Sequence, residues 1–132
     1  MLTLTSTTNG INPSLHATLT ATGIGLYSFD PESNVFTVDD TCRKLFDIDP
    51  GACLSPEVIL SRIHPYDLPR YWAAAAESAQ TGSFDCDYRV IHRDGSVHFV
   101  SGRGNVHVSG TEKGRRLLGV CVDVTARLAL ES

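Results

Sequence analysis

The sequence contains no apolar run long enough to cross a bilayer and no excess of basic residues. A spanning helix needs about 20 apolar residues, and the opening "MLTLTSTTNGINPSL" lacks the charged start and apolar run of a signal peptide. Eleven Lys and Arg against fifteen Asp and Glu give a net charge of -4. This balance argues against a nucleic-acid module, which carries a clustered basic face. The composition predicts a cytoplasmic chain with no membrane segment.

The sequence also contains no closely spaced pair of cysteines. The four cysteines show no CxxC motif, and a cytoplasmic setting keeps thiols reduced. The spacing therefore favours small buried side chains over a metal site or disulfides. The four are Cys42, Cys53, Cys86 and Cys121.

Catalytic motifs are equally scarce. No glycine-rich phosphate loop follows a strand, and no Ser-His-Asp or Cys-His arrangement stands out. The carboxylates of Asp39 and Asp40 lie at a predicted helix start, where capping explains them. The sequence predicts no catalytic residue, so the chain by itself is not expected to be an enzyme.

What the sequence does contain is enough chain for one domain. Its 132 residues are 42% hydrophobic, which suffices for a core. Residues 1–11 read as a flexible tail, 12–22 as an amino-terminal helix carrying Leu15 and Leu19, and 23–125 as the folded domain. Residues 126–132 read as the start of a further helix.

The order of elements predicts an α+β fold. Strands at "GIGLYSFD" and "VFTV" precede helices at "TCRKLFD", "EVILSRI" and "HPYDLPRYWAAAAESAQTG". Three long strands follow, the first two joined by a hairpin at Asp94-Gly95. Gly102 and Gly104 suggest a twist or bulge in the second of them. Helices on one side of an antiparallel sheet are expected.

The closing segment "LLGVCVDV" is apolar without alternation. A strand of this kind needs cover on both faces. We therefore expect it to be a central strand beside the first strand. The helices would cover one of its faces, and the amino-terminal helix or a partner chain would cover the other.

From Thr22 to Leu128 these segments resemble a PAS domain. The most specific match lies in "YRVIHRDGSVHFVSGRG" and "GVCVDVTAR", which are similar to the PAC-type carboxyl-terminal half of the common bacterial sensory subtype. The resemblance implies a five-stranded antiparallel sheet, cupped by short helices around a small pocket. It also implies a sensor module that is usually fused to an output domain.

Asp123 and Thr125 have a physical interpretation of their own. Both can bond backbone groups where the closing strand ends, which would make them the exit point for a signal. The following "ARLALES", with Leu128 and Leu130, is typical of the first turn of a linker helix to an output domain. Seven residues do not establish a coiled coil, and a simple chain end is the alternative.

A pocket in such a domain would be lined by apolar side chains with one polar group, either Tyr88 or Arg103. A core filled completely by the same side chains is the alternative. The candidates are Leu26, Phe46, Ile59, Ile63, Trp72, Tyr88, Val90, Val100 and Arg103.

The sequence can be compared directly with the patterns that bind two cofactors, flavin and haem. "TCRKLF" resembles the Asn-Cys-Arg-Phe-Leu-Gln motif of flavin-binding light sensors, with Cys42 as the adduct-forming thiol. However, Thr41 and Lys44 replace the Asn and Phe, the Gln is absent, and the segment lies too early. Haem-binding relatives offer a His from the long helix, which here has none. His64 lies just before that helix. Flavin and haem are therefore not expected, and the cofactor, if any, stays unknown.

Three further histidines, His92, His98 and His107, lie on predicted strands. Whether His92 and His98 share a face depends on the turn length, because a slip of one residue reverses the side. As a metal site the pattern is weak, and no metal is predicted.

Two functions fit these observations. The first is a cytosolic sensory module of a bacterial signal-transduction protein, such as a two-component histidine kinase or a cyclic-dinucleotide enzyme. It would relay a change in its core or in a bound small molecule through the last strand. The second is a ligand-free dimerisation domain, with Leu15, Leu19 and the outer sheet face forming a two-fold interface. A homodimer is expected in both cases.

Overall fold

A computed structural model describes residues 13–51, 54–108 and 115–126 of the chain. The predicted tail, Cys53, Leu128 and Leu130 lie outside the described residues. The elements are α1 (Pro13–Ala21), β1 (Ile24–Asp30), β2 (Val35–Val38), α2 (Asp40–Phe46), α3 (Pro56–Arg62), a 3-10 turn (Pro65–Asp67), α4 (Leu68–Thr81), β3 (Ser83–Ile91), β4 (Val97–Val108) and β5 (Arg115–Asp123).

Local sequence explains where the helices begin and end. The Asp39 carboxylate accepts a hydrogen bond of 2.9 Å from the Cys42 amide and so caps α2. Pro56 occupies the first turn of α3, where its missing N–H costs nothing. Gly82 ends α4 in the left-handed conformation, with φ of 83°.

The five strands form one antiparallel sheet in the order β2-β1-β5-β4-β3. The predicted α+β fold and the central position of the closing strand are both confirmed, since β5 pairs with β1 on one side and β4 on the other. The pairing of β4 is continuous from Val97 to Val108, so the suggested bulge at Gly102 and Gly104 is absent from it.

The register divides the sheet into two faces. The inner face carries Tyr27, Tyr88 and Cys121, which belong to the core packed beneath the helices. The outer face carries the alternating residues, among them Leu26 and Val120, which lie opposite each other. Leu26 is buried there, and α1 packs against β1.

The outer face of β5 is less covered than the sequence suggested. Leu118, Val120 and Val122 are half-buried, and the neighbouring Val97 and Phe99 on β4 are 42% and 39% exposed. Within the chain itself, α1 therefore leaves the outer face of β5 only partly covered, and cover by a partner chain stays a prediction. Within the described residues, no helix is both long and apolar enough to cross a bilayer.

Candidate functional site

A cavity of about 710 Å³ lies between the inner sheet face and the helices. Its volume is in the range of pockets that hold small molecules. The wall combines residues of all five strands with α2, α3 and one side of α4. Its main apolar and aromatic members are Tyr27, Phe29, Phe36, Val38, Phe46, Ile59, Leu60, Tyr71, Trp72, Ala75, Phe84, Tyr88, Val106 and Leu117.

Glycines at three sheet positions admit the side chains of this wall. A Cβ at Gly119 would lie 2.5 Å from the ring of Tyr27, and one at Gly104 would lie 2.7 Å from its hydroxyl oxygen. A Cβ at Gly25 would lie 2.9 Å from the thiol of Cys42. Gly104 and Gly119 thus make room for the Tyr27 ring, and Gly25 allows α2 to pack closely on β1.

The few polar groups in the interior of the wall are neutral. Burial raises the pKa of Tyr27, Tyr71 and Tyr88 above the ordinary phenol value. A hydrogen bond with the Cys121 thiol, together with burial, raises the pKa of Cys42. The Tyr88 hydroxyl lies 3.9 Å from the Cys121 sulfur. The raised pKa values keep the three tyrosines and Cys42 uncharged at neutral pH, and such groups can hydrogen-bond a ligand without carrying charge.

Four of the nine predicted pocket residues line the cavity: Phe46, Ile59, Trp72 and Tyr88. Trp72 lies at its mouth, with 55% of its surface exposed. The other five are placed elsewhere. Ile63, Val90 and Val100 are buried in the core without touching the cavity, while Leu26 and Arg103 lie on the outer face.

The misplacement of Leu26 and Arg103 has a simple cause. Strand residues alternate between faces, and Tyr27, next to Leu26, is the one that points inward. Arg103 pairs on the outer face with Asp85, and with Asp87 at 2.9 Å. It is therefore not available as the polar handle of the pocket.

Tyr71, on α4, was missed as a lining residue. It belongs with Ala75, Ser78 and Ala79 to a stripe at i, i+4, i+7 and i+8 of α4, and all four line the cavity. That spacing is present in the sequence and could have identified the stripe. Phe84 was likewise missed, although it alternates in phase with Tyr88 on β3.

At the end of β5 the chain is held by hydrogen bonds to β4. The Phe99 amide donates to Thr125 Oγ1 at 2.8 Å, and the Val124 amide donates to the Phe99 carbonyl at 2.8 Å. Asp123 Oδ1 accepts from the Thr125 amide at 2.9 Å. Partial burial raises the pKa of Asp123, but hydrogen bonds from Thr125 and His98 outweigh it, and the net pKa is lowered.

His92 and His98 share a face, which settles the question the turn length had left open. Their rings stack with centroids 3.9 Å apart. His98 Nδ1 lies 3.0 Å from Asp123 Oδ2, and His92 Nε2 lies 2.8 Å from the Leu45 carbonyl oxygen of α2. We call these two residues the histidine pair. It connects the end of α2 to the end of β5.

An ion pair between the buried Asp67 and the half-buried Arg89 closes the open edge of β3. The Asp67 carboxylate accepts from the Arg89 amide at 2.8 Å and from its guanidinium at 2.8 and 3.0 Å. The His64 amide donates to the Arg89 carbonyl at 2.9 Å. These bonds satisfy backbone groups that an edge strand would otherwise expose. Hydrogen bonds from Arg89 lower the pKa of Asp67 to about 2.

Comparison with known families agrees with this architecture. The model of the PAS fold matches residues 35–121. That range is well over half of the chain, so the chain belongs to the PAS family. No curated protein matches it.

Several solved structures have a similar fold. A sensory box histidine kinase/response regulator from Burkholderia thailandensis is 21% identical with a TM-score of 0.71, covering 89% of this chain and 88% of that chain. The N-terminal domain of a diguanylate cyclase with PAS/PAC sensor from Marinobacter aquaeolei is 23% identical with a TM-score of 0.66, covering 80% and 98%. A PAS domain from Colwellia psychrerythraea is 13% identical with a TM-score of 0.65, covering 86% and 98%.

Proposed function

We propose that this PAS domain is a sensory module that binds a small molecule in its cavity and relays the event through β5 to a carboxyl-terminal linker. It binds and transmits rather than catalyses. The observation that carries the proposal is the position of the cavity. Its wall includes Leu117 and Cys121 of β5, and the exit residues Asp123 and Thr125 follow only two and four positions after Cys121.

A second connection from the cavity to the exit supports the same proposal. Cys42 and Phe46 of α2 line the cavity, and Leu45 on the same helix contacts His92 through its carbonyl. The histidine pair then reaches Asp123. A shift of α2 on ligand binding would therefore alter the contacts at the end of β5. This requires that the ligand-free and ligand-bound states differ in the contacts of the histidine pair.

We propose that the domain responding to the signal is covalently linked to this one. The histidine kinase and diguanylate cyclase named above contain similarly folded domains, which favours a two-component histidine kinase first and a cyclic-dinucleotide enzyme second. Such a parent would place this domain in the cytoplasm. Reading the coding sequence that follows Ser132 tests the assignment, and an output domain of another kind would overturn it.

Binding in the cavity can be tested with one matched pair of variants. Ala75 lines the cavity, whereas its exposed neighbour Ala76 does not. Ala75→Phe should therefore fill the cavity, and Ala76→Phe should leave it open. We expect Nile red fluorescence to rise with the wild type and with Ala76→Phe, and much less with Ala75→Phe. Native mass spectrometry of the same three proteins reports any small molecule retained from expression. Equal dye binding by all three proteins would show that the cavity is not the binding site.

The proposed relay from the cavity to the end of β5 can be measured separately from binding. The amides of Phe99 and Val124 are held by the exit bonds, so their hydrogen exchange reports whether the end of β5 stays closed. We expect ligand occupancy to change exchange at these two amides in the wild type. Unchanged exchange at both, with the cavity occupied, would rule out the relay while leaving binding intact.

Ligand-free dimerisation is the second candidate. The exposed Phe99 and Val97 adjoin the half-buried outer face of β5, and Leu15 on α1 is also exposed while Leu19 is half-buried. A two-fold pairing of these surfaces would bury them. Sedimentation should then show a concentration-dependent dimer that Phe99→Ser weakens. A monomer at all concentrations would exclude this candidate.

A further inference from the structure

Aromatic side chains are concentrated around the cavity. The chain has four Tyr, five Phe and one Trp, and eight of these ten residues line it. The two that do not are Tyr66, which is 82% exposed, and Phe99. The eight are Tyr27, Phe29, Phe36, Phe46, Tyr71, Trp72, Phe84 and Tyr88.

These rings contact one another at tilted or edge-to-face angles rather than in parallel stacks. The ring of Tyr71 lies 5.5 Å from those of both Phe84 and Tyr88, at interplanar angles of 65° and 85°. Phe29 and Phe36 approach to 4.6 Å. Tilted rings present both edges and faces to the space between them. A flat aromatic molecule can therefore add further pairs of the favoured geometry on several sides.

Charge is confined to the mouth of the cavity. Among the described residues that line it, the charged ones are Glu57, Arg115 and Arg116, and all three are exposed. Deeper in, the polar groups are the hydroxyls of tyrosines such as Tyr27 and Tyr71 and the cysteine thiols. A charged group placed there would lose its hydration without gaining an opposite charge. A neutral oxygen would instead find hydroxyl partners.

We propose that the cavity takes an uncharged, planar aromatic molecule that bears a neutral oxygen, such as a phenol or an aromatic carbonyl compound. The proposal rests on the proposed function, because it names the chemical class of the ligand in the same cavity. It is carried by the aromatic wall and by the placement of charge outside it.

Three probe molecules with the same two-ring carbon skeleton separate the contribution of the aromatic ring from that of charge. Naphthol is flat and neutral, decahydronaphthol is neutral but saturated, and naphthoate is flat but charged. Calorimetric titration of the wild type should give naphthol an affinity roughly 10-fold higher than that of decahydronaphthol, because only the flat ring gains aromatic pairs. Naphthoate should bind more weakly than naphthol, because its carboxylate either loses its hydration among the neutral groups of the interior or holds the ring back at the mouth beside Arg115 and Arg116.

Two variants test whether the preference for naphthol over decahydronaphthol arises at the cavity wall. Tyr71→Leu removes the ring that contacts both Phe84 and Tyr88, and it should lower the naphthol affinity several-fold without lowering that of decahydronaphthol. Tyr66→Leu removes an exposed tyrosine outside the cavity and should change neither. If Tyr71→Leu fails to fold, the order of the three probes on the wild type still decides the question.

Failure of the aromatic assignment and failure of the proposed function would give different results. If decahydronaphthol or naphthoate binds as tightly as naphthol, the aromatic assignment is overturned while binding in the cavity stands. If naphthol does not bind but Nile red still distinguishes Ala75→Phe from Ala76→Phe, the assignment is again overturned and the proposed function survives. If neither the probes nor Nile red distinguish the cavity, both fail.

Discussion

The two faces of the sheet are made from the same strands and serve different purposes. Along β3, the inner residues Phe84, Tyr88 and Val90 are buried among rings and aliphatic side chains. Their outer neighbours Asp85 and Asp87 are exposed and pair with Arg103. The inner face provides a neutral aromatic enclosure, and the outer face provides ion pairs beside a half-buried apolar strip on β5.

This contrast fits the proposal that the inner face binds the ligand, and it leaves the outer face as the surface that the dimer candidate would use. The inner face keeps open volume because glycines stand where side chains would meet Tyr27. The outer face contains no comparable enclosure among the residues described, and its apolar strip is continuous with exposed Phe99. The strands are shared by both faces, and β5 is the central one, so in the proposed relay a change on the inner face would also alter the outer face.

The largest effect is expected at the edge of the sheet, where a buried carboxylate meets an outer-face cation. Asp67 is 3% exposed, so Asp67→Ala leaves the Arg89 amide and guanidinium without their acceptor. We expect a loss of about 3 kcal/mol in the free energy of unfolding at pH 7, measured by urea titration. Asp85→Ala is the matched control, because it removes an exposed partner of Arg103 and should change little.

The pH dependence of this effect has a definite sign. The pKa of Asp67 falls from 3.8 to about 2 on folding, so its contribution is present above about pH 4 and is lost as the pH falls towards 2. The stability difference between wild type and Asp67→Ala should therefore shrink over that range. A difference that stays constant down to pH 2 would show that the carboxylate charge is not what stabilises the edge.

The two faces can be compared with the same substitution. Val100 on the inner face is 0% exposed, whereas Val120 on the outer face is half-buried. Val100→Ala should cost about 2.5 kcal/mol, because it leaves a cavity in packed surroundings. Val120→Ala should cost less than about 1 kcal/mol in the monomer. Equal costs would mean that the outer face is covered in solution, which would favour the dimer.

Much of the fold was predictable from local patterns. The lack of alternation in "LLGVCVDV" correctly placed β5 in the centre, and the neighbouring carboxylates of Asp39 and Asp40 marked the start of α2. The face assignment was not predictable for β1, because "GIGLYSFD" has apolar residues at neighbouring positions and its register is fixed only by pairing with β2 and β5. The partial exposure of Leu118, Val120 and Val122 was hidden for the same reason, since apolar composition does not reveal what covers a face.

Gly119 tests whether the inner face depends on open backbone space. A Cβ there would lie 2.5 Å from the Arg103 carbonyl oxygen and from the Tyr27 ring. Gly119→Ala should therefore cost about 2 kcal/mol through overpacking. Combining it with Tyr27→Leu should recover part of that loss, because one of the two clashes is removed. Strictly additive effects in the double variant would contradict the role of Gly119 as space for Tyr27.

The smallest effect on stability, and the most specific to signalling, is expected from the polar end of the inner face. His98→Ala removes the contact with Asp123 and the ring stacked on His92. We expect a cost of about 1 kcal/mol and faster hydrogen exchange at the Phe99 and Val124 amides, because the end of β5 is then held by fewer bonds. His107→Ala, at an exposed position farther along β4, is the control and should leave that exchange unchanged. If ligand occupancy still changes exchange at the exit of His98→Ala as it does in the wild type, the signal travels through β5 alone and the histidine pair is a structural clamp.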